Sequence, residues 1–335
     1  MARKAEACVG WMLLALGAAE AVRAQGGRQL PPPATHLEAL AADPARGRLV
    51  LFGGMRRADG GSWVEVGETW EWDDAAGWRT TVGADGGPGR RRAHAMAYDP
   101  GRRVVVLVGG VRERPGGGGE EMLHDAWRYD GRRWLPDGEA PALATPQLAY
   151  DPRRRALLLA GYRSDRPGAR WLLLYRRQAD EGWRLVDSAG PMTTGPLRIA
   201  YDARRSVLVV PALADSEPAV WEWDGGAWRR RAAAAGPSRR TRYGFAFDAR
   251  AHRSVLVGGR GEAARDLLGD AWSWDGSRWT PLPAADSGPR PGPRASTTLL
   301  YDPARSRLAL YGGLSSGELV SELWLLEAGE WKQGH

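Results

Sequence analysis

Hydrophobic residues along this chain fall into two short patterns that take turns. One is an unbroken apolar run closed by glycine, as in Val104 to Val108; the other is a Trp-x-aromatic alternation followed by a turn and another tryptophan, as in Trp127-Arg128-Tyr129 to Trp134. Neither has the length or the 3.6-residue period of a helix. Both are bounded by glycine, proline or Asp-Gly, so both predict strands. The unbroken runs predict strands covered on two faces, whereas the alternation sends two aromatics to one face.

The patterns recur six times in one order. An aspartate in a turn marks each copy (Asp43, Asp99, Asp151, Asp202, Asp248 and Asp302), at intervals of 46 to 56 residues. The second landmark is Trp70-Trp72-Trp78, Trp127-Tyr129-Trp134, Trp221-Trp223-Trp228, Trp272-Trp274-Trp279 and Trp324-Leu326-Trp331, with a degenerate third copy, Leu173-Tyr175-Trp183. Each unit therefore reads as four strands, A to D. Strand A ends just before the aspartate (Ala95 to Tyr98), and proline presets the A–B turn while the aspartate accepts backbone N–H bonds. Strand B is the apolar run and strand C carries the alternation. Asp130-Gly131, Asp224-Gly225 and Asp275-Gly276 make tight C–D hairpins, because both central residues tolerate positive φ. The closing tryptophan opens strand D.

Composition sharpens this. With 45 glycines, 23 prolines and 17 tryptophans in 335 residues, the chain suits many short strands joined by turns and excludes collagen-like, coiled-coil and wholly disordered classes. A formal charge of +7 would raise nucleic acid as a partner, but only Lys4 and Lys332 are lysines, so 45 of 47 basic residues are arginine. That skew, with abundant alanine and glycine, reads as a GC-rich coding bias. Arginines interspersed with 40 acids predict a solvated surface and no nucleic-acid footprint.

The first segment has a basic start, an apolar stretch from Val9 to Ala19 and small residues at Val22 and Ala24. It predicts a signal peptide over 1–24, cleaved after Ala24, and an exported protein, periplasmic or extracellular. The stretch is too short to span a membrane, for which roughly 20 residues are needed. Cys8, the sole cysteine, precedes the stretch, so no lipid anchor is expected and the remaining chain would have no thiol.

Four units close strand B with a double glycine (Gly53-Gly54, Gly109-Gly110, Gly258-Gly259, Gly312-Gly313), and Pro88 to His94 leads into strand A of the second. With the strand C aromatic and strand D tryptophan, these residues resemble the kelch-repeat family over nearly the whole of 25–335. The resemblance implies an all-β fold, a six-bladed kelch-type β-propeller with four antiparallel strands per blade, in one domain whose blades begin near 34, 91, 143, 194, 240 and 294. Units three and four depart from it, with Ala160-Gly161-Tyr162 and Val210-Pro211-Ala212 in place of the double glycine. The central domain of galactose oxidase is a kelch propeller whose copper site uses a tyrosine cross-linked to cysteine; without cysteine that cofactor cannot form here, and no cofactor is expected. Periplasmic sialic-acid mutarotases are also six-bladed kelch propellers, a resemblance of fold only.

In such a meander the A–B and C–D turns share one face, while the B–C loops and D–A connections share the other. The second set is long and varied, which makes that face the expected site. Arg91, Arg240 and Arg294 all stand eight residues before a turn aspartate, where the other copies have Thr35, Leu143 and Thr194. Three converging guanidinium groups would hold a carboxylate, sulfate or uronic acid; alternatively each bonds loop carbonyls or stacks on tryptophan. Trp63 and Trp171 fall outside the repeat and are the candidate sugar-stacking planes, or covers for their own loops. His36, His94, His124, His252 and His335 show no metal-ligand spacing, and no nucleophile motif is present, so no catalytic or metal residue is assigned. The chain is expected to be a monomeric exported module without a transmembrane segment, binding a glycan or a protein. The alternative is a small-molecule sugar-modifying enzyme, such as a sialic-acid-mutarotase-like isomerase.

Overall fold

A computed structural model describes residues 31–82, 87–163, 172–178, 181–191, 195–215, 219–232, 235–263, 265–283 and 288–334. Residues 1–24, with Cys8, and Trp171 and Thr194 lie outside them. Every regular element among the described residues is a β-strand, and six four-stranded antiparallel sheets hold the strands in sequence order. Blade 1 comprises Ala39–Asp43, Arg48–Phe52, Thr69–Asp73 and Gly77–Val82, and blade 2 comprises Ala95–Asp99, Val104–Val108, Asp125–Tyr129 and Trp134–Glu139. The first strand of each blade packs against the first strands of its two neighbours, and Ala39–Asp43 of blade 1 meets Thr298–Asp302 of blade 6. The chain is thus a closed six-bladed β-propeller, with each blade contiguous in sequence.

The unbroken apolar runs now have their reason. In blade 2, Val105 and Leu107 pack on blade 1, with Val50 and Phe52, while Val104, Val106 and Val108 pack on blade 3, with Leu157 and Leu159. A sheet sandwiched between two others needs apolar side chains on both faces. Six hydrophobic clusters follow, one per junction, including the seam where Leu40, Leu49, Leu51, Trp72 and Trp78 of blade 1 meet Ala309, Tyr311, Leu323 and Leu325 of blade 6. Each such buried aliphatic or aromatic side chain contributes roughly 1.5–3 kcal/mol, so packing suffices to close the ring without an exchanged strand.

Ion pairs reinforce the junctions on the turn face. Arg46, three residues after Asp43, bonds that aspartate at 2.7 Å and also Glu71, and its Nη1 reaches the Gly131 carbonyl of blade 2. Arg154 likewise donates to Asp151 at 2.8 Å and to the Asp224 carbonyl of blade 4, at 3.1 Å. Arg305 crosses the seam to the Gly47 carbonyl and Asp74. The hairpin glycines answer this: a Cβ on Gly131 or Gly276 would meet Arg46 or Arg205 at 2.5 Å. The arginine excess is therefore partly structural, because a fork that bridges a carboxylate and a carbonyl cannot be replaced by an ammonium.

The loop face differs from expectation in detail. In blades 1, 2 and 6 the B–C segments contain two-stranded ribbons: Met55–Arg57 with Trp63–Glu65, Val111–Glu113 with Glu120–Met122, and Leu314–Ser315 with Glu318–Leu319. Blades 3, 4 and 5 have no ribbon among the described residues: strand B runs on as Ala156–Arg163 in blade 3, as Val207–Ala212 in blade 4 and, through its double glycine, as Arg253–Arg260 in blade 5.

Candidate functional site

Arg91, Arg240 and Arg294 do not converge. Each is buried and bonded within its own blade: Arg91 forks onto Asp125 at 2.7 and 2.8 Å, Arg240 onto Asp270 at 2.5 and 2.9 Å, and Arg294 donates to Glu322 at 2.8 Å. Each also donates to the carbonyl of the first glycine of a pair: Gly109, Gly258 or Gly312. The indoles of Trp127, Trp272 and Trp324 share the same three carboxylates. Burial alone would raise these acids, but the guanidinium and indole bonds hold Asp125, Asp270 and Glu322 below the usual carboxylate range. At two junctions the main chain carries the load onward, since the Arg91 carbonyl accepts from Gly54 of blade 1 and that of Arg294 accepts from Gly259 of blade 5.

What converges on the axis lies one to four residues further along. A cavity of about 410 Å³ sits at the end of the first strands entered by the D–A connections, and residues from all six blades line it. Its polar wall includes His36 and Glu38 of blade 1, His94 of blade 2, Gln147 of blade 3, Arg198 of blade 4 and Arg242 of blade 5. Small or short residues, among them Ala39, Ala95 and Thr298, leave the space open. In five of the six blades one cavity-lining residue has left-handed backbone: Leu37, Ala93, Thr145, Arg242 and Ser296 at φ 48 to 60°. Non-glycine residues occupy this region rarely, and inter-blade bonds hold them there: Ala93 N–H donates to Leu37 O at 2.8 Å and Ser296 N–H to Arg242 O at 2.7 Å.

The wall is electrostatically unusual. Arg198 donates Nε to the Tyr243 carbonyl at 3.1 Å and Nη1 to its neighbour Leu197 at 2.9 Å, and no carboxylate of the described residues pairs with it. Burial, then the charge of Arg242, lowers its pKa. Burial pushes Glu38 up to about 8, and both carboxyl oxygens are buried without a hydrogen-bond partner. Burial, with Arg91 nearby, drives His94 down to about 3, and both its ring nitrogens are unpartnered. At neutral pH Arg198 lines the cavity as an unpaired guanidinium, while Glu38 and His94 are neutral and keep their polar atoms buried in its wall.

These shifts set a pH profile. Folded Glu38 keeps a proton that the unfolded chain releases above about 4.5, so its contribution is lost as pH rises toward 8. Folded His94 refuses a proton that the unfolded chain takes below about 6.5, so its contribution is lost as pH falls toward 3. The slopes oppose each other between roughly 4.5 and 6.5, where these two groups leave stability level, and outside it each changes stability by up to about 1.4 kcal/mol per pH unit. Urea unfolding of Glu38→Gln from pH 6.5 to 9 should lack the alkaline decline; an unaltered decline would remove Glu38 as its source.

Of the two extra-repeat tryptophans, Trp63 lies in the blade 1 ribbon and is 39% exposed. The His36 ring packs edge-on to it at 4.6 Å, so it stands beside the cavity and not inside it. Sequence reasoning missed Glu38, His94, Gln147, Arg198 and Arg242 as a set; the available signal was a polar residue where strand A begins, at a different residue type in each copy. Among the described residues no group of three or more His, Cys, Asp or Glu could hold a metal ion. No helix there is long and apolar enough to cross a membrane.

No family profile and no curated protein matches the chain. Among solved structures it resembles YjhT, with a TM-score of 0.65 over 92% of this chain and 99% of that one, at 13% sequence identity. At such identity the likeness is one of fold.

Proposed function

We propose that the protein is an exported glycan-binding propeller that takes a small carboxylated sugar into the axial cavity from the face of the long loops. The observation that carries this is Arg198, a guanidinium in a cavity of about 410 Å³ whose Nη2 has no protein partner among the described residues. A half-buried arginine at a cavity wall without a counter-charge favours a ligand carboxylate, which it can bond as a charge-assisted donor. Gln147, Ser296, Thr298 and Arg242 around it suit hydroxyl groups, and the volume falls within the range of small-molecule sites.

Thermal shift against galacturonic, glucuronic and N-acetylneuraminic acids, with galactose and glucose as uncharged controls, tests the reading. At least one sugar acid should raise the melting temperature in a saturable way. Arg198→Met should weaken that binding about 10- to 100-fold, the worth of one charged hydrogen bond. No shift from any acid, or equal shifts from the neutral sugars, removes the proposal. Export is part of the same reading, supported by the basic, apolar and small-residue order of 1–24, and fractionation of the expressed protein checks it.

A second reading is a sugar isomerase, in which Glu38 and His94 of the cavity wall would serve as acid and base once a ligand draws out their polar atoms, which are buried in the free protein. Opening a sugar ring at the anomeric carbon moves one proton from the anomeric hydroxyl to a base and one from an acid to the ring oxygen. Faster anomer interconversion by proton NMR, lost in Glu38→Gln while binding persists, would distinguish an enzyme from a binder.

A further inference from the structure

We infer that Trp63 and the ribbons of blades 1 and 6 form a second sugar subsite, so that the protein takes an acidic oligosaccharide with its terminal unit in the axial cavity and the next unit on the indole. This rests on the sugar-acid reading of the axial cavity.

A second cavity of about 320 Å³ lies between the ribbon of Met55–Arg57 with Trp63–Glu65 and that of Leu314–Ser315 with Glu318–Leu319. Arg56, Arg57, Trp63, Leu314, Glu318 and Leu319 line it. The two cavities adjoin at His36, which lines the axial one and packs its ring against Trp63 in the other. The main chain fixes that wall, because His36 and Met55 exchange backbone hydrogen bonds of 3.0 and 2.9 Å.

Chemistry selects the occupant. Among the described residues only Trp63 and Leu185 are large apolar side chains left exposed, and Leu185 lies on the outermost strand of blade 3. The indole is held before any ligand arrives: the Arg57 guanidinium sits 4.8 Å from its centroid and donates to the Gly61 carbonyl at 3.2 Å. A rigid, partly bare aromatic plane with polar groups at its rim matches a pyranose, which presents C–H bonds on one face and hydroxyls at its edge. Arg56 has no carboxylate of the described residues in ion-pair range, which suits a second acidic unit, and the Glu318 carboxylate can accept from hydroxyls.

Calorimetric titration with galacturonic acid and its α-1,4-linked dimer tests this on the whole protein. The dimer should bind about tenfold more tightly than the monomer, the Trp63→Ala variant should abolish that gain while leaving monomer affinity unchanged, and Trp63→Phe should retain most of it. Monomer binding without a gain for the dimer, or a gain that survives Trp63→Ala, overturns the subsite and leaves the axial reading intact. Dimer binding that depends on Trp63 without measurable monomer binding supports the subsite. Absence of binding by both overturns the subsite and the sugar-acid reading together.

Discussion

Replacing Gly258 by alanine is expected to cost about 4 kcal/mol of stability or to prevent folding, the upper end of single-residue effects. Gly258 has φ +65°, and a Cβ there would lie 2.6 Å from the Arg294 carbonyl oxygen and 3.1 Å from that of Leu268. Both obstacles are main chain at the junction of blades 5 and 6, where the Gly259 N–H donates to the same Arg294 carbonyl at 2.8 Å. No side-chain rotation relieves the clash. Gly317, at φ +87° with open space around it, isolates the backbone term; its alanine variant should lose only about 1 kcal/mol. Urea titrations of the two variants decide the matter, and equal losses would show that close approach across the junction contributes nothing.

Loss of Arg91 is the second large effect. Arg91→Ala removes both bonds to Asp125, the 2.9 Å bond to the Gly109 carbonyl and the bond to the Pro88 carbonyl. Breaking a buried ion pair costs 3–5 kcal/mol in general; because Asp125 is 37% exposed and can rehydrate, about 3 kcal/mol is expected. Arg91→Lys keeps the charge but not the fork, so it should recover less than half of the loss. Sugar-acid affinity, measured on folded Arg91→Lys protein, should match that of the parent. A variant of normal stability that no longer binds would restore Arg91 to the ligand site and undo its assignment as a clasp.

That contrast explains how far the sequence could be read. Blade 2 was legible almost to the residue, with Val104–Val108 and Trp134 where the pattern placed them and Ala95–Asp99 one residue longer. Its packing demands recur in every copy, so periodicity exposes them. The ribbons over blades 1, 2 and 6 and the straight strands of blades 3 to 5 were not legible, because they depend on segments unique to each copy and not on the double glycine, through which blade 5 also runs straight. The site was hidden for a related reason. Arg91, Arg240 and Arg294 recur at one position because each performs the same clasp in its own blade. On the proposed reading a ligand on the axis would meet six blades from six directions and need a different group from each, which fits the absence of any repeating motif among Glu38, His94, Gln147 and Arg198.

Contiguous blades and a seam built like the other junctions give the ring no privileged starting point. Among the described residues nothing in the packing of the junctions distinguishes a last module from a first, so tandem duplication or loss of a whole module is a small architectural step for such a chain. Residues facing the axis can then diverge one module at a time. On the sugar-acid proposal, ligand choice and mechanical integrity thereby become separately heritable, the first written in singular positions and the second in shared ones.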